Sequence, residues 1–149
     1  MSRPQGALPA DFAEIGPDSW TEPFWLAARE HRLTVPRCTN CGTFRFPPGP
    51  FCHECQHQDV EHVEMSGTGT IYTYTIARHP VVPTLADSVP YAVAVIELDG
   101  APGVRMIANI VDSDVELVRI GTRVELAWDD VNAEVTIPRF RLAGAQTAA

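Results

Sequence analysis

From residue 60 onward the chain alternates apolar and polar positions with a two-residue period broken by turn signals, and this pattern predicts a run of short strands. The first covers Val60 to Met65 and stops at Ser66-Gly67-Thr68-Gly69. Thr70 to Ala77 sets Tyr72, Tyr74 and Ile76 against Ile71, Thr73 and Thr75, a β-branched and aromatic mixture that strands favour. A loop with three prolines, Arg78 to Pro90, leads to Tyr91 to Leu98, which is almost wholly apolar, as expected of a central strand covered on both faces. Asp99-Gly100 opens the turn before Val104 to Val111, and Ile120-Gly121 the turn before Val124 to Trp128. Glu134 to Leu142 completes the set, and Pro138, which has no N–H to donate, marks it as an edge strand or a bulge. Five or six short strands over about 80 residues suit a small antiparallel barrel, for which the five-stranded OB-fold is the commonest answer and an SH3-like barrel an alternative.

Upstream the period changes. Ser19 to Leu33 reads as a short helix, with Ser19 and Glu22 at capping-box spacing and Pro23 in the first turn, where its missing N–H does little harm. Trp20, Phe24, Ala27, Ala28 and His31 recur on one face, widened by Trp25 and Leu26. A helix this short is marginal alone, so its aromatic face must dock on its own domain or on another chain. Met1 to Pro17, rich in Pro, Gly and Ala, has no period and reads as a mobile arm that orders against a partner.

Composition narrows the class. Apolar residues make up 45% and charged residues 20%, the balance of a folded globular protein. No apolar run approaches the roughly 20 residues that cross a bilayer, so no membrane association is expected. The first ten residues have no apolar stretch after Arg3, which predicts no secretory signal and a cytoplasmic location. A net charge of -8 argues against nucleic acid, whose phosphates require a basic surface. All 11 basic side chains are arginine. That is the mark of GC-rich coding, and it also suits bidentate grip on phosphates or carboxylates.

The strongest chemical signal lies in the Pro- and Gly-dense stretch Val35 to Gln58, which is too irregular for helix. Cys38-Thr39-Asn40-Cys41 and Cys52-His53-Glu54-Cys55 form two Cys-x-x-Cys pairs with ten residues between them. Each pair makes a tight turn offering two thiolates, so Cys38, Cys41, Cys52 and Cys55 can converge on one tetrahedral zinc ion as a structural site. Gly42 can take the positive φ that aims backbone N–H groups at sulfur. An iron site, disulfides, or a mixed ligand set drawing on His53, His57 or His62 remain the alternatives. Four thiolates on one zinc leave no position for a catalytic water and no free cysteine nucleophile, so the metal contributes folding energy, not reactivity.

No catalytic constellation stands out elsewhere. His79, Asp87 and Ser88 share the long loop with nothing to fix their geometry. Gly67-Thr68-Gly69 lacks the third glycine and the lysine of phosphate-binding loops and reads as a turn. Asp112, Asp114, Asp129 and Asp130 fall in expected turns, so no acid pair emerges. On its residues alone the chain is a binding or scaffolding module.

With these features in place, the sequence resembles a family, formerly a domain of unknown function, that joins a rubredoxin-like zinc ribbon to an OB-fold. The resemblance runs from about Trp20 to Leu142. It is carried by Phe24-Trp25, by RCTNCGTFRFPPGPFCHEC from Arg37 to Cys55, and by SGTGTIYTYTIARHP from Ser66 to Pro80. PYAVAVIELD from Pro90 to Asp99, IGTRVEL from Ile120 to Leu126 and IPRFRLA from Ile137 to Ala143 complete it. Gln56 stands where the family has glycine. The resemblance implies a mainly β protein: N-terminal arm and helix over 1–34, zinc ribbon over 35–60, five-stranded OB-fold barrel over 61–143, and a disordered tail over 144–149.

For function, the resemblance implies a non-catalytic accessory subunit in a hetero-oligomer with a thiolase-like or lipid-transfer-protein-like enzyme. Such subunits pack against the enzyme and help shape its acyl-CoA site. Some support retro-aldol cleavage of steroid side-chain CoA thioesters, and others bridge thiolase and hydroxymethylglutaryl-CoA synthase. The lysine-free composition tilts this chain towards sterol or similar lipid degradation in a GC-rich bacterium. Acyl-CoA has phosphates and a thin pantetheine arm, so an accessory subunit would offer arginines and aromatic walls. Trp25, Arg45, Tyr72, Tyr74, Arg78 and Tyr91 are the candidates, with Arg139 and Arg141 as further arginines. A single-stranded nucleic-acid module, since ribbons and OB-folds both bind strands, and a stand-alone acyl-CoA thioesterase are the alternative readings.

Overall fold

The computed structural model describes residues 2–144. The expected disordered tail over 144–149 therefore lies, but for Gly144, outside the described residues. One helix, α1 (Glu22–Arg29), is followed by seven strands: β1 (Thr34–Cys38), β2 (Val60–Glu64), β3 (Thr68–Ala77), β4 (Tyr91–Leu98), β5 (Arg105–Ile110), β6 (Arg123–Asp130) and β7 (Thr136–Leu142). β1 and β2 pair antiparallel as a separate two-stranded sheet, so Val60–Glu64 belongs with the cysteine segment and not with the barrel. The remaining five close in the order β3-β4-β5-β7-β6, an OB-fold barrel. No helix among the described residues is long and apolar enough to cross a membrane.

The barrel interior is a single cluster in which Ile71, Ile96, Val118, Val124 and Phe140 are almost completely buried. β4 is central, between β3 and β5, yet it alternates: Ala92, Ala94, Ile96 and Leu98 point inward while Tyr91, Val93 and Val95 are only half-buried outside. It is not covered on both faces, because among the described residues no helix layer lies over this side of the barrel. β7 touches β5 at the single bridge Ile110–Phe140, and Pro138 lies outside it, opposite Trp128 of β6, where a missing N–H costs no ladder bond to β5. Gly69 has a steric reason: a Cβ there would come within 2.6 Å of the Glu97 carbonyl oxygen and the Ile96 side chain on β4.

α1 is shorter than the apolar period suggested. Asp18 organises its start in place of Ser19, its carboxylate accepting from the N–H groups of Trp20 (3.0 Å) and Thr21 (2.8 Å). At the other end the N–H of His31 donates to the Ala28 carbonyl (2.9 Å) and that of Arg32 to Ala27 (3.0 Å), the pair of bonds that closes a Schellman motif. The left-handed residue such a motif needs is His31 (φ 56), not glycine. Its ring compensates by stacking on Trp128 at 5.3 Å and 7°, with Nε2 2.8 Å from Asp130. Phe24, Ala27 and Ala28 are buried, whereas Trp20 and Leu26 face solvent.

The arm expected to be mobile is anchored on the outside of β5, β6 and β7. Arg3 grips both oxygens of Asp129 at 2.8 Å, and Gln5 and Asp112 exchange two hydrogen bonds, Gln5 N–H to the Asp112 carboxylate (2.7 Å) and Asp112 N–H to the Gln5 carbonyl (2.8 Å). Asp129 and Asp130 are therefore strand residues of β6, not turn residues. Asp129 is 0% exposed and is held from the other side by Arg139 at 2.7 Å. Burial pushes its carboxyl up, but the hydrogen bonds from Arg3 and Arg139 outweigh that and hold it below the usual carboxylate range.

Candidate metal centre

Two hairpin turns build the site by the same local device. After Cys38, the Gly42 N–H donates back to the Cys38 carbonyl (2.9 Å) and the Cys38 N–H donates to the Thr43 carbonyl (2.9 Å). After Cys52, the Gln56 N–H donates to the Cys52 carbonyl (3.0 Å) and the Cys52 N–H to the His57 carbonyl (2.9 Å). Each turn needs a left-handed residue, supplied by Gly42 (φ 77) in the first and by Gln56 (φ 64) in the second. The substitution at Gln56 thus leaves the second turn's geometry intact.

These turns bring the four Sγ atoms of Cys38, Cys41, Cys52 and Cys55 within 4.8 Å of one another. Cys38–Cys55 are 3.6 Å apart and Cys41–Cys52 3.5 Å, close to the spacing of about 3.8 Å that zinc–sulfur bonds of about 2.3 Å impose on a tetrahedron. All four are unbridged thiols, which removes the disulfide alternative. The Cys41 thiol is lowered to about 6, chiefly by the Thr43 hydroxyl, and the Cys38 thiol is lowered by the Cys41 backbone N–H, whereas the Cys52 thiol is raised: the backbone N–H groups of Cys55 and Glu54 favour its thiolate, but burial and the crowding thiols of Cys41 and Cys55 outweigh them. Among the described residues no histidine joins the cluster; His53 faces Glu54 at 3.7 Å and His57 faces Asp59 at 3.6 Å. The donor set and its spacing fit zinc, which Cys38, Cys41, Cys52 and Cys55 would hold as a structural ion with no coordination position left open.

Arg45 braces this site and does not line a channel. It is 4% exposed, and its guanidinium donates to the carbonyls of Gly49 (3.0 Å) and His57 (3.2 Å), tying the loop between the two turns to the second one. This withdraws Arg45 from contact with CoA. Arg139 is likewise occupied inside, by Asp129 and by the Asn109 amide oxygen at 3.3 Å. Arg141 pairs with Glu125 at 2.7 Å.

The other candidates are scattered. Trp25 packs edge-on against Phe24 (4.9 Å) and lines a small cleft with Ile15, Pro17 and Arg29. Tyr74 leans on the barrel core. Tyr72, displaced by a bulge between Ile71 and Thr73, lies on the outer surface beneath the Arg105 guanidinium, 3.6 Å from its ring centroid. Tyr91 lines a cleft with Ile110, Val115 and Leu117, and Arg78 reaches the neighbouring Glu116 at 2.7 Å. Only Arg78 and Tyr91 therefore come near one opening. In the long loop no side-chain hydrogen bond joins His79, Asp87 and Ser88 among the described residues. Sequence reasoning overlooked Arg3, Asn109, Arg105 and Ile107. The first two act through long-range pairing that no local pattern encodes, whereas outward β5 positions were legible from the strand's period.

Comparison with known proteins agrees with this architecture. Residues 25–61 match the family described as "ChsH2, rubredoxin-like zinc ribbon domain" and residues 62–129 the "ChsH2, C-terminal OB-fold domain". A "DUF35 domain-containing scaffold protein" of Methanothermobacter thermautotrophicus is 34% identical over 71% of this chain and 78% of its own length. A "probable enoyl-CoA hydratase alpha subunit" of Thermomonospora curvata is 42% identical over 80% of this chain, but the chain spans only 37% of that protein. A "3-oxo-4,17-pregnadiene-20-carboxyl-CoA hydratase alpha subunit" of Mycobacterium tuberculosis is 28% identical, with 42% of its length spanned. A solved structure described as "Ltp2-ChsH2(DUF35) aldolase" superposes with a TM-score of 0.78 and 37% identity, covering 87% of this chain and 99% of that one.

Proposed function

Because the chain belongs to the ChsH2 family of zinc-ribbon and OB-fold (DUF35) proteins, we propose that it is the non-catalytic accessory subunit of a thiolase-like or lipid-transfer-protein-like enzyme acting on acyl-CoA thioesters. One observation carries this reading: the chain aligns with 99% of a ChsH2(DUF35) chain from an aldolase whose other named component is Ltp2. Aldolase is preferred to hydratase as the partner activity, because only 37% and 42% of the two hydratase alpha subunits are spanned. The chemistry of the chain fits a supporting role. Its metal site is closed by four sulfurs, and its buried carboxylate, Asp129, is neutralised by two arginines and faces no cleft. The reaction, retro-aldol cleavage of a sterol or related lipid side chain carried on CoA, takes place on the partner in the cytoplasm.

Of the six acyl-CoA candidates, Arg78 and Tyr91 are best placed to contact substrate, at the cleft bounded by Ile110, Val115 and Leu117. The decisive experiment is co-expression with a thiolase-like protein from the same genome, sought first among the neighbouring reading frames. A single hetero-oligomer by light scattering, with acyl-CoA cleavage by the complex and none by this chain alone, is the expected result. Thioester turnover by the isolated chain, or a chain that stays monomeric beside that protein, overturns the reading.

A further inference from the structure

The barrel has two kinds of outer surface. Over β5, β6 and β7 the N-terminal arm is tied down by Arg3 on Asp129, and the outward residues Asn109, Ala127, Asp129 and Arg139 are all buried. Among the described residues no helix or strand packs over the outer face of β3, β4 and β5. There Thr73, Val95 and Ile107 stand in one cross-strand row, and Ile107 is 72% exposed. Tyr72 and Ile120 widen the row at its side, since Ile120 precedes Gly121, whose N–H donates to the Ile71 carbonyl (2.8 Å). Isolated apolar residues on a surface are ordinary, but a contiguous row around a tyrosine is not.

The polar groups of this face decide what it suits. Arg105 lies flat on Tyr72 and reaches Glu97 at 3.2 Å, and Arg123 is paired with Asp99. Every arginine here is matched by a carboxylate, which is poor chemistry for a phosphate backbone. None of the main clefts among the described residues is lined by Tyr72, Arg105 or Ile107, so this face offers a small ligand little concavity. A rigid tyrosine and arginine set among aliphatic side chains, with paired charges at the edge, is the composition of a protein–protein contact centre. Arg105 directs its donors at Glu97 alone among the described residues, and a guanidinium carries five, so donors remain for an acceptor brought by the other protein.

We propose that the outer face of β3, β4 and β5, centred on Tyr72, Arg105 and Ile107, docks the thiolase-like enzyme, which brings an aliphatic patch for Ile107 and a carboxylate or carbonyl for Arg105. This rests on the accessory-subunit reading above and adds to it the surface used. The test measures affinity for that enzyme with Ile107→Glu and Arg105→Glu, and with Leu26→Glu, an exposed α1 residue, as the control. Both face variants should weaken binding by about 30-fold or more, as expected of contact-centre residues, while the control binds as wild type. Hydrogen exchange on the wild-type complex, which needs no variant, should show protection at Arg105 to Ile107. Wild-type affinity in Ile107→Glu with unprotected β5 amides overturns the surface but leaves the accessory role standing. A wild-type chain that never binds overturns the role itself. A self-association abolished by Ile107→Glu, or a labelled single strand released by Tyr72→Ala, overturns the surface in favour of a second copy or a nucleic acid.

Discussion

The ribbon and the barrel are held together by different forces. Between β1 and β2 the cysteine segment has little interior of its own: Cys38 and Cys52 are buried, but Cys41 and the turn residues around it face water. Its order comes from four sulfurs and from Arg45, which gathers carbonyls across the loop. The barrel has a continuous apolar interior and closed strands, and needs no ion. The two meet at the ribbon's root, where Leu33, Val35, Phe44, Phe46 and Val63 reach the common cluster and the Met65 N–H donates to the Leu33 carbonyl (2.8 Å). A small segment can thus be made rigid by coordination where hydrophobic burial would be insufficient, and the two units should fail for different reasons.

Metal removal separates them most sharply. Structural zinc contributes on the order of 10 kcal/mol to the folding of such segments. Chelation, or Cys52→Ser, should strip hydrogen-exchange protection from Gly42, Arg45 and Gln56 while Ile96 and Phe140 keep theirs. Simultaneous loss in both regions would make ribbon and barrel one cooperative unit.

The reverse experiment empties the barrel. Phe140 is 0% exposed, and Phe140→Ala should cost about 3–5 kcal/mol, read as a shift in the urea midpoint. Zinc content of the folded variant should stay at one ion per chain. A variant that folds but loses its zinc would show that the root transmits more than the few contacts there suggest.

Acid should produce two steps. Protons compete with zinc for thiolates, so the ribbon releases its ion first. The barrel's sensitive groups are carboxylates: the Arg123 and Thr68 hydrogen bonds lower Asp99 to about 2, and Asp129 and Asp130 are also lowered. A carboxyl lowered by folding adds stability above its unfolded value of about 3.9 and loses it as pH falls through the folded value. Barrel stability should therefore decline between pH about 4 and pH about 2, followed by circular dichroism, after zinc has appeared in a chromogenic chelator assay. A barrel that unfolds together with metal release would contradict the separation.

The contrast also explains what could be read in advance. Cys-x-x-Cys spacing reports short-range turns, so all four ligands were legible; β4 was legible to its end residues, because its apolar run is bounded by Pro90 and Asp99-Gly100, although its one-sided burial was not. Gly67 and Gly69 marked the entry to the barrel even though only packing explains Gly69. What stayed hidden depends on partners far along the chain. Arg3 and Asp129 are 126 positions apart, so neither the anchored arm nor the strand position of Asp129 leaves a local signature. Arg45 read as an arginine available to CoA because nothing in the sequence shows three carbonyls, those of Gly49, His57 and Gln58, gathered around it.

The smallest expected effect tests the ribbon's own symmetry. Gly42 and Gln56 occupy equivalent left-handed positions, but a side chain in that region costs roughly 1–2 kcal/mol that glycine avoids. Gln56→Gly relieves this strain in the folded state and adds backbone freedom to the unfolded chain, which offsets roughly 0.5–1 kcal/mol. The difference should be a gain of about 1 kcal/mol or less, confined to the ribbon, and visible as slower zinc transfer to a competing chelator with the barrel's urea midpoint unchanged. Faster zinc loss in Gln56→Gly would mean that the Gln56 side chain supports the second turn by contacts that outweigh its backbone strain. The two turns, alike in hydrogen bonding, would then differ in what stabilises them.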